Sequence, residues 1–224
     1  MLINKAFEFV EKCLGGDNSG HDVEHINRVV KNAERILEFE KDADKEVVLL
    51  SAILHDVDDY KLGGNGENLE RFFNENDVDE NLRTKISDVI ENISFSKSGE
   101  KPEFSSLEQK IVSDADKLDA MGAIGVCRTI MYSAKTKRKL FDDNEFPSEN
   151  LSKEEYKNKD RKNNHSINHF FDKLLKLKGA MQTNAGKVEA EKRHRFMVMF
   201  LREFFDEVDA SQNWGKFLSK FDKK

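Results

Sequence analysis

The chain has 224 residues, with 37 Lys and Arg against 43 Asp and Glu and a formal net charge of −6 at pH 7. That length can bury a sizeable core within one compact domain. The acidic balance argues against a general nucleic-acid or anionic-membrane surface, although a small anionic substrate can still be drawn to a local site.

Lys5, Glu8, Glu11 and Lys12 are scattered where a signal peptide would be apolar, and no stretch approaches the roughly 20 apolar residues of a membrane span. A soluble, cytoplasmic protein is expected. Cys13 and Cys127 are too few and too far apart for a disulfide framework or a zinc cluster, and are expected as core thiols of a reduced protein. Only Pro102 and Pro147 interrupt apolar residues that recur at helical spacing, so an all-α chain is expected.

The first helix is expected over about 3–14, ending at Gly15-Gly16. Ile26, Val29, Val30, Ala33, Ile36 and Leu37 share one face of the next, near whose start His25 and Arg28 lie side by side. A third helix, about 44–57, carries the apolar run Val47–Leu54 into His55-Asp56, and Gly63, Gly64 and Gly66 soon break its pattern. Adjacent helical residues point about 100° apart, so both can reach one ion only near a frayed end.

Helices over about 69–76 and 80–93 precede a polar loop, 94–105, containing Pro102. A helix beginning near Leu107 turns Ile111, Ala115 and Leu118 inward and yields at Gly122 to another apolar helix through Thr129 and Met131. From Lys135 to Asn164 a charged connection follows, opening on the solvated run Lys135-Thr136-Lys137-Arg138-Lys139. Two last helices, about 167–178 and 184–208, finish the domain. Phe196, Phe200, Phe204 and Phe205 are read as packing, with Trp214 covering an edge of it.

His25, the pair His55-Asp56, and Asp116 offer two imidazoles and two carboxylates from three helices. Such a set without thiolate suits manganese, nickel, cobalt, iron or magnesium better than a structural zinc. In that order the four residues resemble the ligand set of the HD superfamily of metal-dependent phosphohydrolases. His25 matches its first ligand, His55 and Asp56 its signature pair, and Asp116 its last carboxylate. The stretches Ser19–His25, Leu54–Lys61, Asp114–Gly122, Ile167–Leu175 and Glu191–Met197 are similar to the bacterial YedJ/YpgQ-like branch. The resemblance spans about 19–205. It implies a single HD domain over 1–224, with a core of about 19–125 and C-terminal helices of about 166–208 completing the pocket.

There is no histidine between His55 and His165, whereas the two-metal members of the superfamily need additional ones there. A single divalent ion is expected. Asp59 falls where related single-metal enzymes carry a catalytic carboxylate, and is expected to take a proton from the attacking water; Asp58 is left without a role. Arg28 either holds a phosphate or pairs with Asp56 or Asp116. His21, beside Gly20 and Asp22 at a helix start, is expected as a phosphate contact. Lys61 and Lys117 would add positive charge for a polyphosphate. Asn168, His169, Lys173 and Lys176 are spaced for one polar face, which Arg193 and His194 would join, and the resemblance makes that face a candidate for substrate binding. Gly63-Gly64-Asn65-Gly66 lacks the Lys-Ser/Thr of a nucleotide loop.

The implied activity acts on a small phosphorylated molecule, a nucleotide, cleaving a nucleoside triphosphate to monophosphate and pyrophosphate. A nucleoside monophosphate phosphatase and a non-catalytic nucleotide-binding HD module stand as alternatives. Guanosine tetraphosphate hydrolysis fits less well, because Asp58-Asp59 stands one position earlier than the Glu-Asp pair of that family.

Overall fold

The computed structural model describes residues 1–14, 22–58, 66–93, 104–148 and 165–222. Among them there is no strand. The helices are α1 (Leu2–Leu14), α2 (Val23–Leu37), α3 (Lys45–Leu54), α4 (Asn68–Glu75), α5 (Glu80–Ile93), α6 (Leu107–Asp119), α7 (Gly122–Lys135), α8 (Ser166–Asp172), α9 (Asn184–Glu207) and α10 (Gln212–Ser219), with a 3₁₀ segment at Leu174–Ala180. The all-α expectation holds. No helix among the described residues is long and apolar enough to cross a membrane.

The chain forms two compact units, Met1–Asp119 with Gln182–Gly186, and Ala120–Met181 with Lys187–Lys224. In the first unit α3 is central, packed against α1, α2, α5 and α6. Every residue from Val47 to Leu54 is buried, as an apolar run without a polar face requires. Around it the amphipathic helices turn one stripe inward: Ala6, Phe9 and Val10 from α1, Ile26, Val29, Ala33 and Ile36 from α2, Ile86 and Val89 from α5, and Ile111, Ala115 and Leu118 from α6. Each large side chain fully buried this way contributes roughly 1.5–3 kcal/mol.

Two aspartates start the helices that matter for the site. Asp22 accepts from the His25 backbone N–H at 2.8 Å and begins α2; Asp44 accepts from that of Val47 at 3.3 Å and begins α3. Such caps satisfy backbone donors that have no partner within the helix. α3 ends at Leu54, three residues before the expected boundary and ahead of the glycines, so His55 and Asp56 enter a turn directly from the core. Asn32 on α2 donates to the Ala115 carbonyl at 3.0 Å, fastening α2 to α6.

A second tie in this unit starts from Asp114. Fully buried, it accepts from the Gln182 and Thr183 backbone N–H groups and from the Thr183 hydroxyl, at 2.8 to 3.1 Å. Burial pushes its carboxyl above the ordinary value of 3.8, against the opposing effect of those hydrogen bonds.

In the second unit the structure corrects several expectations. Trp214 does not cover an edge: it is fully buried, with the rings of Phe141, Phe146, Phe171 and Phe205 between 5.1 and 5.8 Å from its own. It sits on α10, a helix not anticipated from the sequence. The helix expected over 167–178 stops at Asp172, because Lys173 (φ −136°, ψ −60°) leaves helical geometry and a 3₁₀ segment follows. Phe196, read as packing, is 39% exposed. Cys127 is exposed on α7 and Cys13 is half-buried on α1, so neither is the core thiol expected; both are free. The basic run Lys135–Lys139 does lie at the exposed end of α7.

Candidate metal centre

Four of the residues singled out in the sequence converge in the first unit. His25 Nε2 lies 3.4 Å from Asp56 Oδ2 and 3.6 Å from Asp116 Oδ1. His55 Nε2 lies 3.5 Å from Asp56 Oδ1 and 3.9 Å from Asp116 Oδ1. The two imidazoles meet edge to face, their centroids 5.4 Å apart. One donor atom each from His25, His55 and Asp56 falls within a mutual distance of 4.8 Å.

The Nδ1 atoms determine which way the lone pairs point. His55 Nδ1 lies 2.9 Å from the Ala52 carbonyl and His25 Nδ1 lies 2.7 Å from Asp119 Oδ2. Both partners only accept, so in the neutral rings the proton belongs on Nδ1 and the lone pair on Nε2. Each lone pair thus points at the two carboxylates. His55 Nε2 is buried and makes no hydrogen bond among the described residues, an arrangement costly for a polar atom unless something else satisfies it.

A divalent cation fits that need. Ligands about 2.0–2.2 Å from one ion stand about 3.0–3.5 Å apart when adjacent in its shell, close to the separations found. Donors of imidazole and carboxylate, without thiolate, match the ions named from the sequence. The His25, His55 and Asp56 side chains are between 1% and 11% exposed, whereas that of Asp116 is 44% exposed. The cluster is therefore closed by protein on the histidine side and open to solvent at Asp116.

Asp119 was not singled out in the sequence, and it belongs to this site. It is almost fully buried one helical turn beyond Asp116 and holds His25. It also accepts from Arg28, whose Nε donates to Oδ1 at 2.6 Å and Nη2 to Oδ2 at 3.2 Å. Arg28 therefore pairs with Asp119 rather than with Asp56 or Asp116. Burial pulls the Arg28 pKa down, but the hydrogen bond and charge of Asp119, with the charges of Asp22 and Glu24, outweigh it and the pKa is raised. A signal for Asp119 was present in the sequence: His25 and Arg28 are three apart on α2, and Asp116 and Asp119 are three apart on α6, matching faces of two helices.

The other candidates stand as follows. Lys117 Nζ donates to the Ser113 hydroxyl and lies 5.5 Å from the centre of the Phe104 ring, with burial lowering its pKa. In the second unit Asn168 is buried and donates to the Glu145 carbonyl at 2.9 Å. His194 is also buried, with Nε2 2.8 Å from the Phe221 carbonyl. His169 and Lys173 are half-buried and Lys176 is exposed, so these residues do not form the uniform polar face that one regular helix would have made. Arg193 donates to Glu189 at 2.8 Å and packs on Gly122, where a Cβ would come within 3.1 Å of it. Asp58, given no role from the sequence, caps α4 by accepting from the backbone N–H groups of Asn68 and Leu69, each at 3.0 Å. His21, Asp59 and Lys61 lie outside the described residues.

Residues 22–121, which include all four converging side chains, match the HD domain family. The Bacillus subtilis protein YpgQ is 32% identical over 208 residues, covering 89% of this chain and 90% of YpgQ. The chain belongs to the HD domain family. Among solved structures, a Lactobacillus plantarum protein superposes with a TM-score of 0.82 at 34% identity, over 93% of this chain and 97% of its own. An HD-superfamily hydrolase of Bacillus thuringiensis superposes with a TM-score of 0.71 at 35% identity, over the same shares. YpgQ solved in complex with ADP gives 0.69 at 26% identity, over 92% of this chain and 97% of that structure. This HD protein is a hydrolase of the metal-dependent phosphohydrolase class.

Proposed function

We propose that this protein hydrolyses nucleoside triphosphates to monophosphate and pyrophosphate, with one divalent ion held by His25, His55, Asp56 and Asp116. The observation that carries the reading is the convergence of those side chains, with the His55 lone pair buried and aimed at two carboxylates. Such an ion supplies positive charge to a phosphoryl oxygen and lowers the pKa of water. Crystals of YpgQ with ADP support a nucleotide as the ligand.

In the proposed reaction water adds to the α-phosphorus and the bond from that phosphorus to the α,β-bridging oxygen breaks. Pyrophosphate leaves, and the proton of the water passes to Asp59, three residues beyond Asp56. His21, Lys61 and Lys117, each close in sequence to a proposed ligand, would add positive charge for a polyphosphate, which favours a triphosphate. That assignment rests on the family resemblance.

The test is to incubate the protein with a panel of nucleoside triphosphates and monophosphates, with manganese, nickel, cobalt or magnesium, and to resolve products by phosphorus NMR. Monophosphate and pyrophosphate without orthophosphate are expected. Orthophosphate from monophosphates with triphosphates intact would replace the reading with a nucleotidase.

A further inference from the structure

We infer that Asp119 is a positioning residue of the metal centre, holding His25 in the tautomer that can bind an ion and held in turn by Arg28. The inference rests on the metal-binding part of the reading above and goes beyond its ligands.

Three observations carry it. The Asp119 carboxylate lies 2.7 Å from His25 Nδ1 and 2.6 Å from Arg28 Nε, so one side chain of α6 is shared between two residues of α2. Its side chain is only 2% exposed, and a carboxylate is retained at such a depth only when its charge is paired. Arg28, 27% exposed at its side chain, pairs with it through two N–H groups in the planar geometry that guanidinium and carboxylate share. Lastly, the opposite nitrogen of His25 points at Asp56 and Asp116.

A neutral imidazole has one N–H, and an acceptor-only carboxylate at Nδ1 draws it there. The lone pair is then left on Nε2, where a cation would be bound, and the negative charge behind the ring makes that nitrogen a stronger donor to a cation. His55 is held differently. Its Nδ1 faces the neutral Ala52 carbonyl one turn earlier in its own segment, a local contact that sets the tautomer without adding charge. The two imidazole ligands therefore differ in donor strength, and His25 is the stronger.

Asp119→Ala and Asp119→Asn are compared with the unaltered protein, after circular dichroism shows that each variant is folded. Titration with Mn²⁺ or Ni²⁺ should show affinity falling about 10- to 100-fold in Asp119→Ala, and by less in Asp119→Asn, which keeps an acceptor without the charge. In the metal-free protein, ¹⁵N NMR at a pH where His25 is neutral should show the Nδ1–H tautomer, shifting toward Nε2–H in Asp119→Ala. A merely structural Asp119 would lower the melting temperature and leave both readouts in place. Metal affinity of a folded Asp119→Ala within twofold of the unaltered protein would overturn the inference, and so would an Nε2–H tautomer in the latter. If Asp119→Ala does not fold, the same readouts on Asp119→Asn decide it. Failure of the unaltered protein to bind any divalent ion overturns the proposed metal site instead, while the tautomer measurement still decides whether Asp119 holds His25.

Discussion

Asp56 is the residue whose loss separates the site from its scaffold. It lies in the turn after α3, its side chain 11% exposed, with one oxygen facing each imidazole. Asp56→Ala removes a charge that both lone pairs face while leaving the buried run Val47–Leu54 intact, so metal and activity should both disappear from a folded protein. Metal analysis of purified Asp56→Ala still showing one ion per chain would refute the ligand set. Asp59 is proposed for a different task, and Asp59→Asn should retain the ion while lowering kcat by about 10²–10⁴. Loss of the ion there would make Asp59 a ligand. The four converging side chains were legible in the sequence because an adjacent His-Asp pair ends an apolar helix and another histidine and aspartate stand on neighbouring helices, in the order that resembles the HD ligand set. Asp119 was not read, because its role depends on which faces of α2 and α6 meet, and only packing decides that.

At the scale of elements, the Asp114 tie explains why a glycine stands near the start of α9. A Cβ on Gly186 would run into Asp114 Oδ2 and sit 2.8 Å from Thr183 Oγ1. Neither group can withdraw without giving up its hydrogen bonds. Gly186→Ala should destabilise by about 1–3 kcal/mol, and a melting temperature unchanged within a degree would show that the segment yields freely. His165, which caps α8, makes a pH-dependent contribution. Its Nδ1 accepts from the Asn168 backbone N–H, and Nε2 lies 2.9 Å from the Glu145 carbonyl. The ring is therefore needed neutral, and burial holds its pKa below the ordinary 6.5. Between 6.5 and that lower folded pKa the unfolded chain binds more proton than the folded one, so stability is intact above 6.5 and is lost as the pH falls. Denaturant unfolding at pH 7.5 and pH 5.5 should show this loss, and it should shrink in His165→Asn, which keeps a capping side chain. An equal loss in the variant would assign the acid sensitivity elsewhere. Helices with long apolar stripes, α2 and α5 above all, were legible from periodicity. α10 was not: its place depends on Trp214 finding the rings of Phe141, Phe146, Phe171 and Phe205.

At the scale of the molecule, the proposed ion would act as a tie as well as a reagent. Its ligands come from α2, the turn after α3, and α6, all within the first unit. In sequence they run from His25 to Asp116, so an unfolded chain would hold them far apart and bind the ion far less tightly. Binding to the folded state alone adds about 2.7 kcal/mol when free metal is 100 times Kd, and each kcal/mol is worth about 2–4 °C of Tm for a chain of this size. Saturating Mn²⁺ should therefore raise the melting temperature by about 5–10 °C over protein stripped with a chelator. Asp56→Ala should melt at the same temperature with and without the ion. Asp119→Ala, which keeps the ligands but loses the group that holds His25, should recover part of the shift at higher metal concentration. The measurement needs no substrate and no turnover, so it tests the ligand set even if the nucleotide is wrong. A melting temperature indifferent to Mn²⁺, Ni²⁺, Co²⁺ and Mg²⁺ alike would mean that the four side chains converge without binding an ion.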